Sequence, residues 1–360
     1  MFSMPNRLRS TIEKFRDWIT LKILKEPTTQ PIYWTLSSVY LFRAIYTCTE
    51  LKIADLLYFK PMRIDQLSTK TKTDAKSLDR LMRALTSFDI FKLSQDGYYE
   101  NTPLSLQLLN SNENPISNWV LFSGNSENWN AYANSTKCIK TGVSAFETTH
   151  KISFYDFMEK NRSYGEQFRS GMNAWSHWQS TQIINAYDFS RFRRIVDIGG
   201  GRGALLTKIL TTYPNTHGEL FDSQQAIELA TASINTLKLN DRCSLQSGDF
   251  FSDLPTNGDA YILKHVLRDW SDAECLAILK RCRKAMAKNG RLILIEGVID
   301  SAKNHSRLQK LIDLEQLFWL GGKMRTLTEW KTLLNRCDFS VSSITGTTIA
   351  DVTIIEAYPS

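Results

Sequence analysis

No run of about 18 uninterrupted apolar residues occurs in this 360-residue chain. The nearest candidate, around Tyr33–Leu57, is broken by Arg43, Glu50, Lys52 and Asp55, which argues against a membrane-spanning helix there. The N-terminus lacks a compact apolar core followed by small residues, so no signal peptide is expected. Cysteine is sparse: Cys48, Cys138, Cys243, Cys275, Cys282 and Cys337 show neither CxxC nor any zinc-ligand spacing. No metal is therefore expected, and the thiols read as reduced, mostly buried residues of a cytoplasmic protein. Charge of one sign is nowhere gathered. The net +7 is spread along the chain, so neither a nucleic acid nor a membrane surface is an expected partner. Internal repeats and low-complexity tracts are also missing.

What is present is an apolar fraction of 42%, ordinary for a globular protein, in a length sufficient for two domains. Residues Arg7–Lys25 read as a basic amphipathic helix, interrupted by Glu13 and Asp17 and suited to packing on another subunit. Up to about residue 185 helical periodicity dominates. Leu41, Ala44, Ile45, Cys48 and Leu51 make one apolar helix face. A second helix follows at 63–67 and a third at 74–85, with Asp74 as its N-cap. The segments 90–93 and 98–101, joined by Ser94-Gln95-Asp96-Gly97, predict a hairpin with an Asp-Gly turn. Helix, helix and two-stranded wing form a winged-helix pattern.

From Arg194 strands and helices alternate. Strands are predicted at 194–199, 217–222, 243–247, 259–266 and 291–299, with helices at 203–213, 224–238, 272–288 and 304–319. That rhythm specifies an α/β domain, a parallel sheet covered on both faces. Two final strands, Phe339–Ile344 and Val352–Tyr358, predict a reversed hairpin on the sheet edge. The expected division is a mainly helical winged-helix domain over 1–110, a helical linker over 111–185, and a Rossmann-like domain over 186–360.

After the first strand, Gly199, Gly200, Gly201 and Gly203 let the backbone turn sharply before a helix opens. A nicotinamide cofactor, S-adenosylmethionine or tight packing would each explain such a turn. Three features favour S-adenosylmethionine. Asp222 ends the next strand, where a carboxylate can grip both ribose hydroxyls. Gly248-Asp249-Phe250-Phe251 ends the third, offering a carboxylate for an adenine amino group and an aromatic wall. The terminal hairpin is unlike a dehydrogenase sheet.

With these residues in view, the chain resembles the caffeic-acid and hydroxyindole type O-methyltransferases over nearly its whole length. The likeness includes the winged-helix region, Gly142–Phe146, Ser153-Phe154-Tyr155-Asp156-Phe157, the glycine loop, Lys264–Asp272, Glu296 and Gly321-Gly322-Lys323-Met324-Arg325-Thr326. It implies a homodimer whose winged helices serve dimerisation, and a small aromatic or polyketide-like substrate. It also implies cofactor contacts at Gly199, Gly201, Asp222, Asp249, Phe250 and Lys264, with Ser176 near the methionine end.

The resemblance breaks at the catalytic signature. The family has His-Asp-Trp after the fourth strand, whereas this chain reads Arg268-Asp269-Trp270. Arginine, with a pKa above about 12, cannot take a proton at neutral pH. The family's Gly-Gly-Lys-Glu-Arg-Thr also has Met324 in place of its glutamate. Asp269 and Glu296 remain of the acid–base group. Three readings stay open: O- or N-methylation that needs no strong base, a non-methylating reaction (pericyclic, decarboxylating or hydroxylating) using Arg268–Asp269, or an inactive scaffold. His265 is a candidate replacement base, with packing as the plainer account. His150 and His177 lie in the region that lines the family's substrate pocket. Trp119, Phe122, Trp129, Tyr132, Trp175 and Trp178 suit either a flat apolar substrate or a dimer core.

Overall fold

The computed structural model describes residues 31–110, 115–300, 302, 307–349 and 352–360. The basic helix expected over Arg7–Lys25 lies outside them. The chain divides into two compact units, Met1–Asn110 and Ser111–Ser360.

In the first unit, helices α1 (Pro31–Glu50), α2 (Ile53–Phe59), α3 (Ile64–Thr71) and α4 (Ala75–Ser87) precede strands β1 (Phe91–Leu93) and β2 (Tyr99–Asn101). Asp74 caps α4 as expected: its Oδ1 accepts the Ser77 N–H at 2.8 Å, while Leu78, Met82 and Leu85 turn inward. The wing pairs Leu93 with Tyr99, and Gly97, at φ 81°, supplies the left-handed residue that its turn requires. Of the face predicted on α1, Cys48 is buried and Leu41, Ala44 and Ile45 are half-buried. Ile32, Tyr33, Leu36 and Tyr40 on the same helix are exposed.

The second unit begins with helices α5 (Pro115–Ser123), α6 (Ser126–Tyr132), α7 (Ser135–Thr141), α8 (Ala145–His150), α9 (Phe154–Lys160) and α10 (Arg162–Ala186). Then follow β3 (Arg194–Ile198), α11 (Ala204–Thr212), β4 (His217–Asp222), α12 (Gln224–Thr236), β5 (Cys243–Ser247), β6 (Ala260–Lys264), α13 (Asp272–Ala285) and β7 (Arg291–Glu296). The chain finishes with β8 (Val298–Ile299), α14 (Arg307–Trp319), β9 (Arg325–Thr326), α15 (Leu327–Asn335), β10 (Phe339–Gly346) and β11 (Thr353–Pro359). Seven strands form one sheet in the order β10-β11-β7-β6-β3-β4-β5, parallel except for β11, which runs antiparallel to both neighbours. This is the expected α/β sheet with its reversed hairpin.

Alternation along the central strands explains the two covered faces. Val196, Ile198, Tyr261 and Leu263 pack with Ile278 and Leu279 of α13 and Leu333 of α15. Ile195, Ile262, Ile293 and Ile295 pack with Ile183 of α10, Leu206 and Ile209 of α11 and Ala230 of α12. Two strand predictions are corrected. The 291–299 strand divides at Gly297, after which β8 leaves the main sheet and pairs with β9. The 259–266 strand stops at Lys264, because His265 adopts φ 56° and turns the chain away. Connections leave β3 toward β4 on one side, while β6 adjoins it on the other. This switch point opens a crevice at the carboxyl ends of both strands. Among the described residues, no helix is long and apolar enough to cross a membrane.

Candidate functional site

The crevice holds a cavity of about 450 Å³, within the range of small-molecule sites. Its base is the glycine loop. The Gly199 N–H donates to the Phe221 carbonyl at 2.8 Å, continuing the sheet for one residue. Gly199 then takes φ 66°, and a Cβ there would lie 2.7 Å from Val266 Cγ2, so no larger residue fits. Gly201, at φ 61°, has open space where its Cβ would be. Its N–H donates to Asp222 Oδ2 at 2.8 Å, and the Ser223 N–H donates to Oδ1 at 2.7 Å. Burial raises the Asp222 pKa while these two bonds oppose the shift.

All seven residues expected to contact the cofactor line this one cavity: Gly199, Gly201, Asp222, Asp249, Phe250, Lys264 and Ser176. Ser176 belongs there because Arg169, Met172, Asn173 and Ser176 fall at i, i+3, i+4 and i+7 on α10 and present one face to it. Asp249 accepts the Phe251 N–H at 2.9 Å, which turns the chain at the end of β5. Phe250 packs against Trp270 at 5.7 Å between ring centroids.

Several cavity residues carried no role in the sequence reading. Asp197 has both carboxylate oxygens buried without a hydrogen-bond partner. Burial raises its pKa to about 7, with Lys264 opposing the shift. A buried, unsatisfied carboxylate fits a ligand that brings a cation or donors. The signal was a lone acid inside the apolar run Ile195–Ile198. Arg169 and Arg202 also line the cavity, and the Nε of each is buried without a partner. Arg169 Nη2 donates to Gln225 Oε1 at 2.8 Å, and Arg202 Nη2 donates to Ser170 Oγ at 3.3 Å. Burial, then the neighbouring Arg169, lowers the Arg202 pKa. These cations, the glycine cradle and the acids at the strand ends form a donor set that fits a zwitterionic nucleoside such as S-adenosylmethionine.

Beside the cavity, β6 leads into a single 3-10 turn, Leu267–Asp269. His265 and Asp269 line the cavity. His265 is buried, with Nε2 3.2 Å from Gln179 Oε1 and Nδ1 3.7 Å from Glu296 Oε2. Burial, together with the charges of Arg268 and Lys264, drives its pKa well below the usual histidine value, which favours the neutral ring. Lys264 Nζ donates to the same Gln179 Oε1 at 3.3 Å. Glu296 Oε1 accepts the Leu267 N–H at 3.1 Å, and burial pushes Glu296 up to about 7 with Arg268 pulling against it. Asp269 Oδ2 accepts a 2.6 Å bond from the Tyr155 hydroxyl. Burial puts Asp269 at about 6, opposed by Arg268 and by that bond. Tyr155 stacks on Trp270 with the rings 9° from parallel, and burial raises its own pKa well above the tyrosine range.

Arg268 is half-buried, and its Nε is shielded from solvent without a hydrogen-bond partner. Its charge acts on Asp269, Glu296 and Glu315, the last raised by burial to about 7. Tyr155, Gln179 and Glu315 were missed in the sequence because their roles depend on distant contacts. Met324 is buried and its N–H donates to Asp313 Oδ1 at 2.7 Å.

The other two histidines singled out in the sequence, His150 and His177, and most of the aromatic run lie elsewhere. His150 Nε2 is 3.2 Å from the Glu127 carbonyl, and its ring sits 4.2 Å from that of Phe146. His177 is exposed. Phe122 is buried among Trp119, Phe154, Tyr164, Phe168 and Trp319, so these rings form a core within one chain. Trp175 and Trp178 contact each other at 5.1 Å, and Trp178 is 48% exposed.

Comparison with known proteins bears on both units. The O-methyltransferase domain family matches residues 130–340, and the O-methyltransferase dimerisation domain family matches residues 34–111. A phenazine O-methyltransferase of Lysobacter antibioticus is 30% identical over 92% of this chain and 97% of its own. An 8-amino-8-demethylriboflavin N,N-dimethyltransferase of Streptomyces davaonensis is 30% identical over 89% of this chain and 94% of its own. Among solved structures, an O-methyltransferase from neocarzinostatin biosynthesis, in complex with S-adenosyl-L-homocysteine and 1,4-dihydroxy-2-naphthoic acid, superposes with a TM-score of 0.76. It is 26% identical, with 89% of this chain and 96% of that chain covered.

Proposed function

The chain belongs to the O-methyltransferase family and is an S-adenosylmethionine-dependent methyltransferase; we propose that it methylates an oxygen or nitrogen of a small aromatic metabolite without a histidine base. The observation that carries this reading is the cavity itself. It gathers the seven expected cofactor contacts and Asp269, while the histidine that lines it among the described residues, His265, is engaged with Gln179 and has its pKa driven down by burial. Its relatives act on a phenazine and a riboflavin analogue, flat heteroaromatic molecules bearing oxygen and nitrogen acceptors.

S-adenosylmethionine supplies a methyl group on a cationic sulfur. The chain's residues bind and orient it. Asp222 retains a free lone pair on each oxygen for the ribose hydroxyls, beyond the two backbone bonds it already accepts. Asp249 receives the adenine amino group and Phe250 walls the ring. Asp197 and Ser176 face the amino-acid end, and Arg169 and Arg202 give its carboxylate cationic partners.

At the acceptor, the charge of Arg268, next in the chain to the cavity-lining Asp269, favours the ionised form of a phenol or enol. Asp269, held by Tyr155, takes the proton. An amine or ring nitrogen with a free lone pair needs no proton removed before attack. Alignment against the methyl group then supplies most of the rate. Within the second unit, α9 and α10 contribute one face of the pocket. The exposed apolar residues of α1 fit a homodimer formed through the matched dimerisation segment. We assign the protein to the cytoplasm.

The test is incubation with S-adenosylmethionine and a panel of phenols, ring nitrogens and aromatic amines, following S-adenosylhomocysteine. Stoichiometric S-adenosylhomocysteine and methylated product are expected. Turnover of an acceptor with the cofactor unconsumed would contradict the proposal.

A further inference from the structure

The 3-10 turn bearing Arg268 and Asp269 has little holding it from within. Its own backbone bonds are Asp269 N–H to the Val266 carbonyl at 3.2 Å and Trp270 N–H to the Leu267 carbonyl at 3.3 Å. Both are long for backbone hydrogen bonds. The order of this turn is imposed from the segment Gly321–Thr326, more than fifty residues later.

Arg325 is buried to 1% exposure and uses all five of its donors. Nη1 donates to the Leu267 carbonyl at 3.0 Å and to the Lys323 carbonyl at 3.2 Å. Nη2 donates to the Trp270 carbonyl at 3.0 Å and to Asp272 Oδ1 at 2.7 Å, and Nε donates to the same Oδ1 at 2.9 Å. Leu267 and Trp270 bracket the Arg268–Asp269 pair, so a single planar fork grips both ends of the turn. The guanidinium also lies 5.1 Å from the centre of the Trp330 ring, which restricts it further. Backbone contacts complete the clamp. The Lys323 N–H donates to the Arg268 carbonyl at 2.7 Å. Gly322 approaches so closely that a Cβ would sit 2.3 Å from the Arg268 carbonyl oxygen and 2.9 Å from Asp269 Cα.

We propose that Arg325 is a positioning residue for methyl transfer, fixing the Arg268–Asp269 turn against the acceptor through the Leu267 and Trp270 carbonyls, with Gly322 setting the distance of approach. This rests on the reading that Arg268 and Asp269 act on the acceptor. Lysine cannot replace this arginine, because an ammonium offers three donors from one point rather than a planar fork.

Four variants test the proposal: Arg325→Lys, Gly322→Ala, Asp269→Asn and Arg268→Ala. Each is assayed for cofactor affinity by calorimetry, for kcat and KM with an accepted phenol, and for the pH profile of kcat. Arg325→Lys is expected to lower kcat by about 10- to 100-fold, the scale of a misplacement near 1 Å, with cofactor Kd changed less than about threefold. The acid limb of its profile shifts toward the ordinary aspartate range as the loosened turn admits water to Asp269. Gly322→Ala, with Arg325 intact, is expected to give the same signature, and it decides the matter if Arg325→Lys fails to fold. If Asp269→Asn and Arg268→Ala impair kcat while Arg325→Lys and Gly322→Ala change only thermal stability, the positioning role is overturned and the turn's assignment survives. If Asp269→Asn and Arg268→Ala both leave kcat intact, the assignment of the turn fails instead.

Discussion

The glycine loop after β3 and the 3-10 turn after β6 leave adjacent strands, yet they are built on opposite principles. The loop is shaped by left-handed glycines, an internal bond from Gly203 N–H to the Gly200 carbonyl, and bonds from Gly199 and Gly201 to the end of the neighbouring strand β4. The turn is shaped remotely, by Tyr155 114 residues before Asp269, by Glu296 29 residues after Leu267, and by Arg325 55 residues after Trp270. In the proposed function, cofactor binding rests on the local device and acceptor chemistry on the remote one, so binding and chemistry are expected to be separable by mutation.

At the loop, stability and cofactor binding are expected to fall together. Gly199→Ala combines φ 66° with a 2.7 Å approach to Val266. A cost of about 1–3 kcal/mol in stability and a loss of cofactor affinity beyond about tenfold are expected. Thermal melts and calorimetry check this. Unchanged cofactor affinity would remove the loop from the site.

Next comes the turn. Arg268→Ala is expected to reduce kcat for acidic phenols by about 100- to 1,000-fold, the range for losing one charge-stabilising group, with cofactor affinity kept. Arg268→His is expected to extend activity to less acidic phenols. If Arg268→Ala left kcat unchanged for every phenol, the guanidinium would have no part in the chemistry.

A subtler difference concerns Asp197, whose pKa burial raises to about 7 and whose oxygens have no hydrogen-bond partner among the described residues. Its folded pKa lies above the ordinary aspartate value, so the folded state binds more protons between about pH 4 and 7. Its contribution therefore destabilises the cofactor-free protein progressively as pH rises through that window. A cationic ligand reverses this, so the thermal shift given by S-adenosylmethionine should grow from pH 5.5 to 7.5. Asp197→Asn should flatten that growth. A thermal shift that grows equally in the variant would exclude Asp197 as the cause.

The smallest effect lies away from both regions. Asp74→Ala in the first unit removes one cap bond and should cost about 1 kcal/mol, read as a lower Tm with cofactor affinity unchanged.

The contrast also explains what was legible in the sequence. Hydrophobic period and glycine placement are local, so the alternating strands and helices, the wing and the terminal hairpin could be read directly. So could the strand-end acids Asp222 and Asp249. Two boundaries were misplaced where local pattern and pairing part company. Ile293–Ile299 stays largely apolar while its pairing partner changes at Gly297, and His265 turns left-handed without a glycine to announce it. At the site, Ser176 came from the family resemblance, and the structure places it on the cavity-facing side of α10. Gln179, Tyr155, Glu315 and the Arg325 fork were not legible, because no periodicity links residues so far apart.

The most direct test of transfer without a histidine base is the acid limb of the kcat–pH profile, compared in the wild type, Asp269→Asn and His265→Asn. The account predicts a limb near pH 6 that disappears in Asp269→Asn and persists in His265→Asn. A limb that persists in Asp269→Asn and vanishes in His265→Asn would make the histidine the base and contradict it.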